Sequence, residues 1–119
     1  MKGTFLALAA DGNVEVVQGE MDLDAIYEHT NGGPIQMVEV PVMDDVTPRG
    51  LALFCNEEGK IMGLEINNGA TDICRSPTFV DFIVGDVLFW RSRDQRGRLL
   101  EDGDGLTAEQ LNWLKGMVG

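Results

Sequence analysis

Leu51-Ala52-Leu53-Phe54-Cys55-Asn56-Glu57-Glu58-Gly59-Lys60-Ile61-Met62-Gly63-Leu64 is the stretch on which the reading of the fold turns. A five-residue apolar run, a polar turn carrying Gly59 and a second apolar run read as a buried β-hairpin. Gly59 takes the position that tolerates a positive φ. Upstream, Ile35 to Met43 alternates imperfectly and reads as a strand, with Pro41 marking its end or a sheet edge. Asp44 to Gly50 is a loop. Downstream, Asn67-Asn68-Gly69-Ala70-Thr71-Asp72 is turn-rich with room for one short helical turn. Its asparagines are expected to bond nearby backbone rather than a ligand.

Toward the N-terminus, Thr4 to Ala9 and Val14 to Val17 flank Asp11-Gly12-Asn13, an opening hairpin. Met1 to Ala10 has one lysine and an apolar run of about six residues, below the usual signal-peptide core. A first strand is the better reading, and the protein is expected to be cytoplasmic. Asp22 reads as a helix N-cap, Asp24 puts an acid in the first turn, and Leu23, Ile26, Tyr27 and Thr30 share a face. His29 and then Asn31-Gly32-Gly33 end that helix, giving His29 a mundane place at a helix C-terminus.

Phe79 to Arg91 is the most apolar long segment, interrupted at Gly85-Asp86 by a bulge or tight turn. Asp94 to Gly97 then turns the chain into a return strand, Arg98 to Leu100. Thr107-Ala108-Glu109-Gln110 is a capping-box pattern opening a last helix, with Leu111, Trp113, Leu114 and Met117 as its apolar residues. The economical architecture is α+β: one domain over residues 1–119, with a mostly antiparallel sheet and two helices.

Composition excludes more than it identifies. The 119 residues are 44% hydrophobic and 24% charged, enough for a core without staples. No window approaches the roughly 18 apolar residues of a membrane span. A net charge of −11 argues against nucleic acid as a ligand; it reads first as a solvated acidic surface, and it also favours solubility and a basic partner. Cys55 and Cys74 belong to no C-x-x-C pair and there is one histidine, too few soft ligands for zinc. A disulfide between them is not expected in a reducing compartment. The charge is also uneven. Arg91, Arg93, Arg96 and Arg98 with Asp94 give +3 over eight residues, on a remainder carrying −14.

Chemistry-bearing patterns are sparse. Glu101-Asp102-Gly103-Asp104-Gly105 invites a calcium-loop reading. Aligning Gly105 on the loop's required glycine puts Leu100 at the first ligand position and Leu111 at the bidentate one. An acidic turn before a helix is the better account. Ser76 and Ser92, the two serines, lie in no G-x-S-x-G, and no glycine-rich phosphate loop follows a strand. No cofactor is expected, and the chain is read as non-enzymatic. The arginine loop has two readings. Its planar forks suit a phosphate or a carboxylate-rich surface, while beside acids on a sheet they are solvated ion pairs of little energetic weight.

In order along the chain come Asn31-Gly32-Gly33 before Met37-Val38-Glu39-Val40, Cys55-Asn56-Glu57-Glu58-Gly59-Lys60, Gly63-Leu64 with Asn67 and Ala70, Ile83-Val84-Gly85-Asp86, and Leu106-Thr107-Ala108-Glu109-Gln110. With that order, from Asp22 onward, the chain resembles a family of small uncharacterised proteins of bacteriophages and mobile elements, chiefly in actinobacteria and Firmicutes, known only as a domain of unknown function. The Arg91 to Arg98 loop is longer and more basic than the family's usual connection.

The resemblance implies a setting where small acidic proteins bind and redirect a host protein, as in counter-defence. The leading expectation is therefore a host-protein binder of phage type. Alternatives are a protein that sequesters a nucleotide signal on the four arginines, and an acidic mimic of DNA. Trp90 and Trp113 complete the candidate binding residues. A homodimer burying one of them is expected, against both being ordinary core residues of a monomer.

Overall fold

A computed structural model describes residues 1–118. The elements run β1 (Lys2–Leu8), β2 (Val14–Glu20), α1 (Leu23–His29), β3 (Ile35–Glu39), β4 (Leu51–Asn56), α2 (Asn68–Cys74), β5 (Val87–Arg93), β6 (Leu99–Asp104) and α3 (Ala108–Val118). All strand pairs are antiparallel, in the order β2-β1-β5-β4-β3, with β6 also on β5. The α+β class stands. The helices among the described residues are three rather than two, because the turn at Asn67 continues into α2.

Both faces of the sheet are covered, which is why β4 is apolar throughout rather than alternating. Leu6, Leu8, Leu51, Leu53, Val87 and Phe89 point to one face and pack on Ala70, Ile73 and Cys74 of α2 and Leu114 of α3. Phe5, Ala52, Leu88 and Trp90 point to the other, where Ile26 of α1 and Met21 meet them. The second roof is small, since α1 has two turns.

The expected central hairpin does not form. β4 is already flanked by β3 and β5, so the residues after it have no ladder to join. Glu57 to Gly63 instead make a helical turn closed by Leu64 N–H to the Gly59 carbonyl (2.9 Å) and Gly63 N–H to that of Lys60 (3.1 Å). This pair of bonds is a Schellman motif, and the left-handed residue in it is Gly63, φ +70°, not Gly59. Gly59 is needed for close approach, since a Cβ there would stand 2.7 Å from a Val84 methyl. Ile61, expected in a buried strand, is 88% exposed.

Two other strands are shorter than the sequence suggests. β3 stops at Glu39, although Val40 still donates to the Leu51 carbonyl (2.9 Å); Pro41 has no N–H with which to continue. The apolar run from Phe79 divides: Val80 and Phe82 are exposed in a loop, and β5 begins at Val87, after Gly85-Asp86. The opening hairpin, the Asp22 cap and the capping box fold as expected. Ala25 N–H donates to Asp22 Oδ1 (2.8 Å). Thr107 N–H reaches Gln110 Oε1 (2.9 Å) while Gln110 N–H reaches Thr107 Oγ1 (3.1 Å). β6 continues past Leu100 to Asp104, and Leu106 N–H then closes on the Thr4 carbonyl (2.7 Å).

Candidate functional site

The four arginines do not form one site. Adjacent strand residues alternate faces, so Arg91 and Arg93 point away from Trp90. They line a cleft of about 530 Å³ whose other walls include Thr47, Arg49 and the first turn of α3. Arg96 and Arg98 lie outside that wall. Arg98 Nε pairs with Asp94 (3.2 Å), and Asp94 also accepts the backbone N–H of Arg96 and of Arg98. The backbone donation from Arg98 is the largest reason that the Asp94 carboxyl sits below its ordinary pKa. Arg93 Nε is held by Glu39 (2.7 Å), and its Nη1 donates to the Gly97 carbonyl (2.8 Å).

Arg49 and Arg91 have no carboxylate within 4 Å among the described residues, and the α3 amides of Ala108 and Glu109 have no intrahelical partner. Asp45, Asp94 and Glu109 in the same wall match the three guanidiniums one for one. The cleft is therefore near neutral despite the basic sequence around it. Arg49 entered it from a different loop, and nothing in its local sequence marked it.

Trp90 lies on the opposite face. It is 8% exposed and stacks on Phe54, with ring centroids 4.5 Å apart and planes 7° from parallel. Gly103 of β6, φ +69°, lies against its benzo edge, where a Cβ would stand 2.7 Å from Cε3. Among the described residues its Nε1 is buried with no acceptor, a loss of about 1–3 kcal/mol. Trp113 is separate, half-buried against the cluster roofed by α2 and α3.

Beside Trp90 the small roof leaves a groove of about 620 Å³ between α1 and β6. Its floor is Ile35, Phe54 and Trp90, and its sides are Met1, Met21, Leu23, Ile26 and Leu100. Leu23 is 53% exposed, and Met37, the cross-strand neighbour of Phe54, is 46% exposed. Asp22, Glu101 and Asp102 provide the side-chain charge in its lining, which among the described residues has no lysine, arginine or histidine. The Met1 ammonium also lies there, donating to the Met21 carbonyl (3.2 Å) and 3.6 Å from Glu20 Oε1. Sequence reasoning placed Leu23 on an apolar helix face but missed Phe54 and Met37. The two-turn length of α1 was legible in the sequence, but the five-strand width of the face it leaves uncovered was not.

The residues behind the family resemblance act as knots. Asn67 caps α2 through Ala70 N–H (3.0 Å) and donates to the carbonyls of Leu8 (3.0 Å) and Gly85 (2.9 Å). Asn56 donates to the Thr30 and Gly32 carbonyls and accepts Glu58 N–H (2.8 Å). Asn31 Oδ1 accepts Asp86 N–H (2.7 Å), and Asp86 in turn accepts Ala10 N–H (3.0 Å). Cys55 and Cys74 are free buried thiols, pushed by burial to pKa values of about 11 and about 12. No group of three or more potential metal ligands is found among the described residues, and no described helix is long and apolar enough to cross a membrane.

Compared with known proteins, the chain matches a family model described as a domain of unknown function (DUF3846) over residues 1–118. Neither a curated protein nor a solved structure matches it.

Proposed function

We propose, from the premise that the chain belongs to the DUF3846 family of domains of unknown function, that it is a small acidic non-enzymatic accessory protein of phage type that binds and modulates a host protein, in counter-defence. The observation that carries the reading is the groove beside Trp90. An apolar depression with half-exposed Leu23 in its wall, half-exposed Met37 on the strand beside its Phe54 floor, and a polar rim has the make-up of a protein-interaction site. The net charge of −11 supports a basic partner. The motif residues quoted above support a phage or mobile-element origin, and with it a bacterial host. Affinity capture with the intact chain from such a host's lysate tests the reading. It should recover one dominant partner; recovery of none under several ionic strengths counts decisively against it.

A second reading is favoured by Arg49 and Arg91, whose guanidiniums have no carboxylate partner among the described residues: sequestration of a phosphate-bearing small ligand in their cleft, with Arg93 already committed to Glu39. A thermal-shift panel of linear and cyclic nucleotides tests it. Stabilisation of about 2.7 kcal/mol is expected at a hundredfold excess over Kd, and a flat panel at millimolar nucleotide rejects it. A homodimer is proposed to use the exposed flank of Trp113 rather than Trp90, which is 8% exposed and lies at the floor of the acidic-rimmed groove. Light scattering giving a mass near 13.0 kDa at micromolar protein removes the dimer.

A further inference from the structure

We infer that the groove between α1 and β6 receives a cationic amphipathic helix of the partner protein, an assignment that rests on the protein-binding reading and specifies the chemistry of what is bound. The groove is an open trough with an apolar floor, the stacked Phe54 and Trp90, and apolar walls from Leu23 and Leu100. A helix offers such a trough apolar side chains at i, i+3, i+4 and i+7, with its own backbone groups already satisfied.

Charge then selects among occupants. Among the described residues the rim holds Asp22, Glu101 and Asp102 and no basic side chain, and the one cation in the lining, the Met1 ammonium, already faces Glu20 (3.6 Å), which leaves the three rim carboxylates in excess. Lysines and arginines flanking an apolar stripe can lay their methylene stems on the apolar walls and their heads on these carboxylates. A second copy of this chain would bring an identical acidic rim and its own −11 charge, which opposes face-to-face pairing through the groove. An acidic helix is opposed for the same reason.

The test titrates the intact chain with three synthetic peptides of about 18 residues, five helical turns. One is a leucine–lysine sequence with its leucines on one helical face. The second has the same composition scrambled so that no face is apolar. The third carries glutamate in place of lysine. Calorimetry and backbone amide NMR are the readouts. The first peptide alone should bind, with shifts concentrated at Leu23, Phe54 and Leu100. Leu23→Glu, an exposed position where a first-turn acid suits the helix dipole, should leave the fold intact and weaken binding about tenfold or more. Glu101→Gln with Asp102→Asn should flatten the salt dependence.

Equal binding of the scrambled peptide, shifts confined to the arginine cleft, no binding, or self-association abolished by Leu23→Glu would each overturn the inference. Capture separates its failure from that of the reading beneath it. A host partner retained equally by Leu23→Glu sinks the groove assignment and leaves protein binding standing. An empty capture with the unaltered chain sinks both.

Discussion

Phe54 of β4 and Trp90 of β5 lie face to face, 4.5 Å between centroids and 7° from parallel, on adjacent strands of the less covered side of the sheet. Near-parallel stacking of two large rings buries much apolar area and adds about 0.5–1.5 kcal/mol of ring–ring interaction. Phe54→Ala is expected to destabilise the chain by about 2–3 kcal/mol, below the fully buried range because the ring is partly exposed. Trp90→Phe should cost less than a typical large-to-small change, because it also removes the unpartnered Nε1. Urea unfolding midpoints rank the two; the reverse order would refute the argument.

Asn67 offers a sharper test, because one side chain caps a helix and ties two distant carbonyls. Asn67→Ala removes the α2 cap and strands the Leu8 and Gly85 carbonyls in the core. The expected loss is about 2–4 kcal/mol. Asn67→Asp keeps the acceptor for Ala70 but faces both carbonyls with a carboxylate. Its deficit should shrink as the pH falls and the acid protonates; a deficit that does not change with pH would show that the two donor bonds contribute little.

Gly103 and Gly97 both have positive φ, +69° and +79°, and differ in what surrounds them. An alanine Cβ at Gly103 enters the Trp90 ring, whereas at Gly97 it meets nothing within 4 Å. Gly97→Ala should cost about 1 kcal/mol from backbone strain alone. Gly103→Ala should cost at least about 2 kcal/mol more, as overpacking against a fixed ring. Thermal melts of the two variants give the difference directly.

Acid should loosen the β5–β6 turn. Asp94 is held below its ordinary 3.8, chiefly by the backbone N–H of Arg98 and also by that of Arg96. A depressed folded pKa gives stability that is present above 3.8 and disappears as the pH falls through the lower folded value. The same sign applies to Asp44, held down by Thr47, and to Asp81, held down by Lys60. Asp94→Asn should therefore narrow its gap to the wild-type melting temperature as pH drops toward about 2. A gap independent of pH would show that the carboxylate's charge is not what holds the turn.

Both thiols should be silent in the native state. With pKa values near 11 and 12, Cys55 and Cys74 carry almost no thiolate at neutral pH and are also buried. A thiol-reactive chromophore should label neither within minutes at about pH 8, and both after unfolding in guanidinium. Fast labelling of one native thiol would place it on a surface or a mobile element.

Local signals were legible where a short stretch decides its own structure. The Asp22 cap, the Asp11-Gly12-Asn13 turn and the Thr107–Gln110 box each satisfy their backbone groups from within a few residues. The central hairpin was misread because apolar character at Leu51–Cys55 reports burial on both faces, not a partner at Ile61–Leu64. That partner is supplied from Ile35–Glu39 and Leu88–Arg91, distant in sequence. The arginine cluster divides for a related reason. The turn between β5 and β6, together with the Asp94 and Glu39 pairings, splits four residues that look contiguous in the sequence. The groove depends on the shortness of α1 relative to a wide sheet, and only the assembled fold displays that proportion.

The clasp of Leu106 N–H on the Thr4 carbonyl, together with the pairing of β1 on β5, sets a timetable for biosynthesis. The inner edge of β1 has no partner until Val87 to Phe89 have been translated, and its clasp waits for Leu106. Such remote pairing is slow to form. The nascent chain thus holds one edge of an apolar strand open while the residues between β2 and β5 are made, a period in which the charges of Lys2, Asp11, Glu15 and Glu20 around that opening hairpin oppose its joining strands on neighbouring chains.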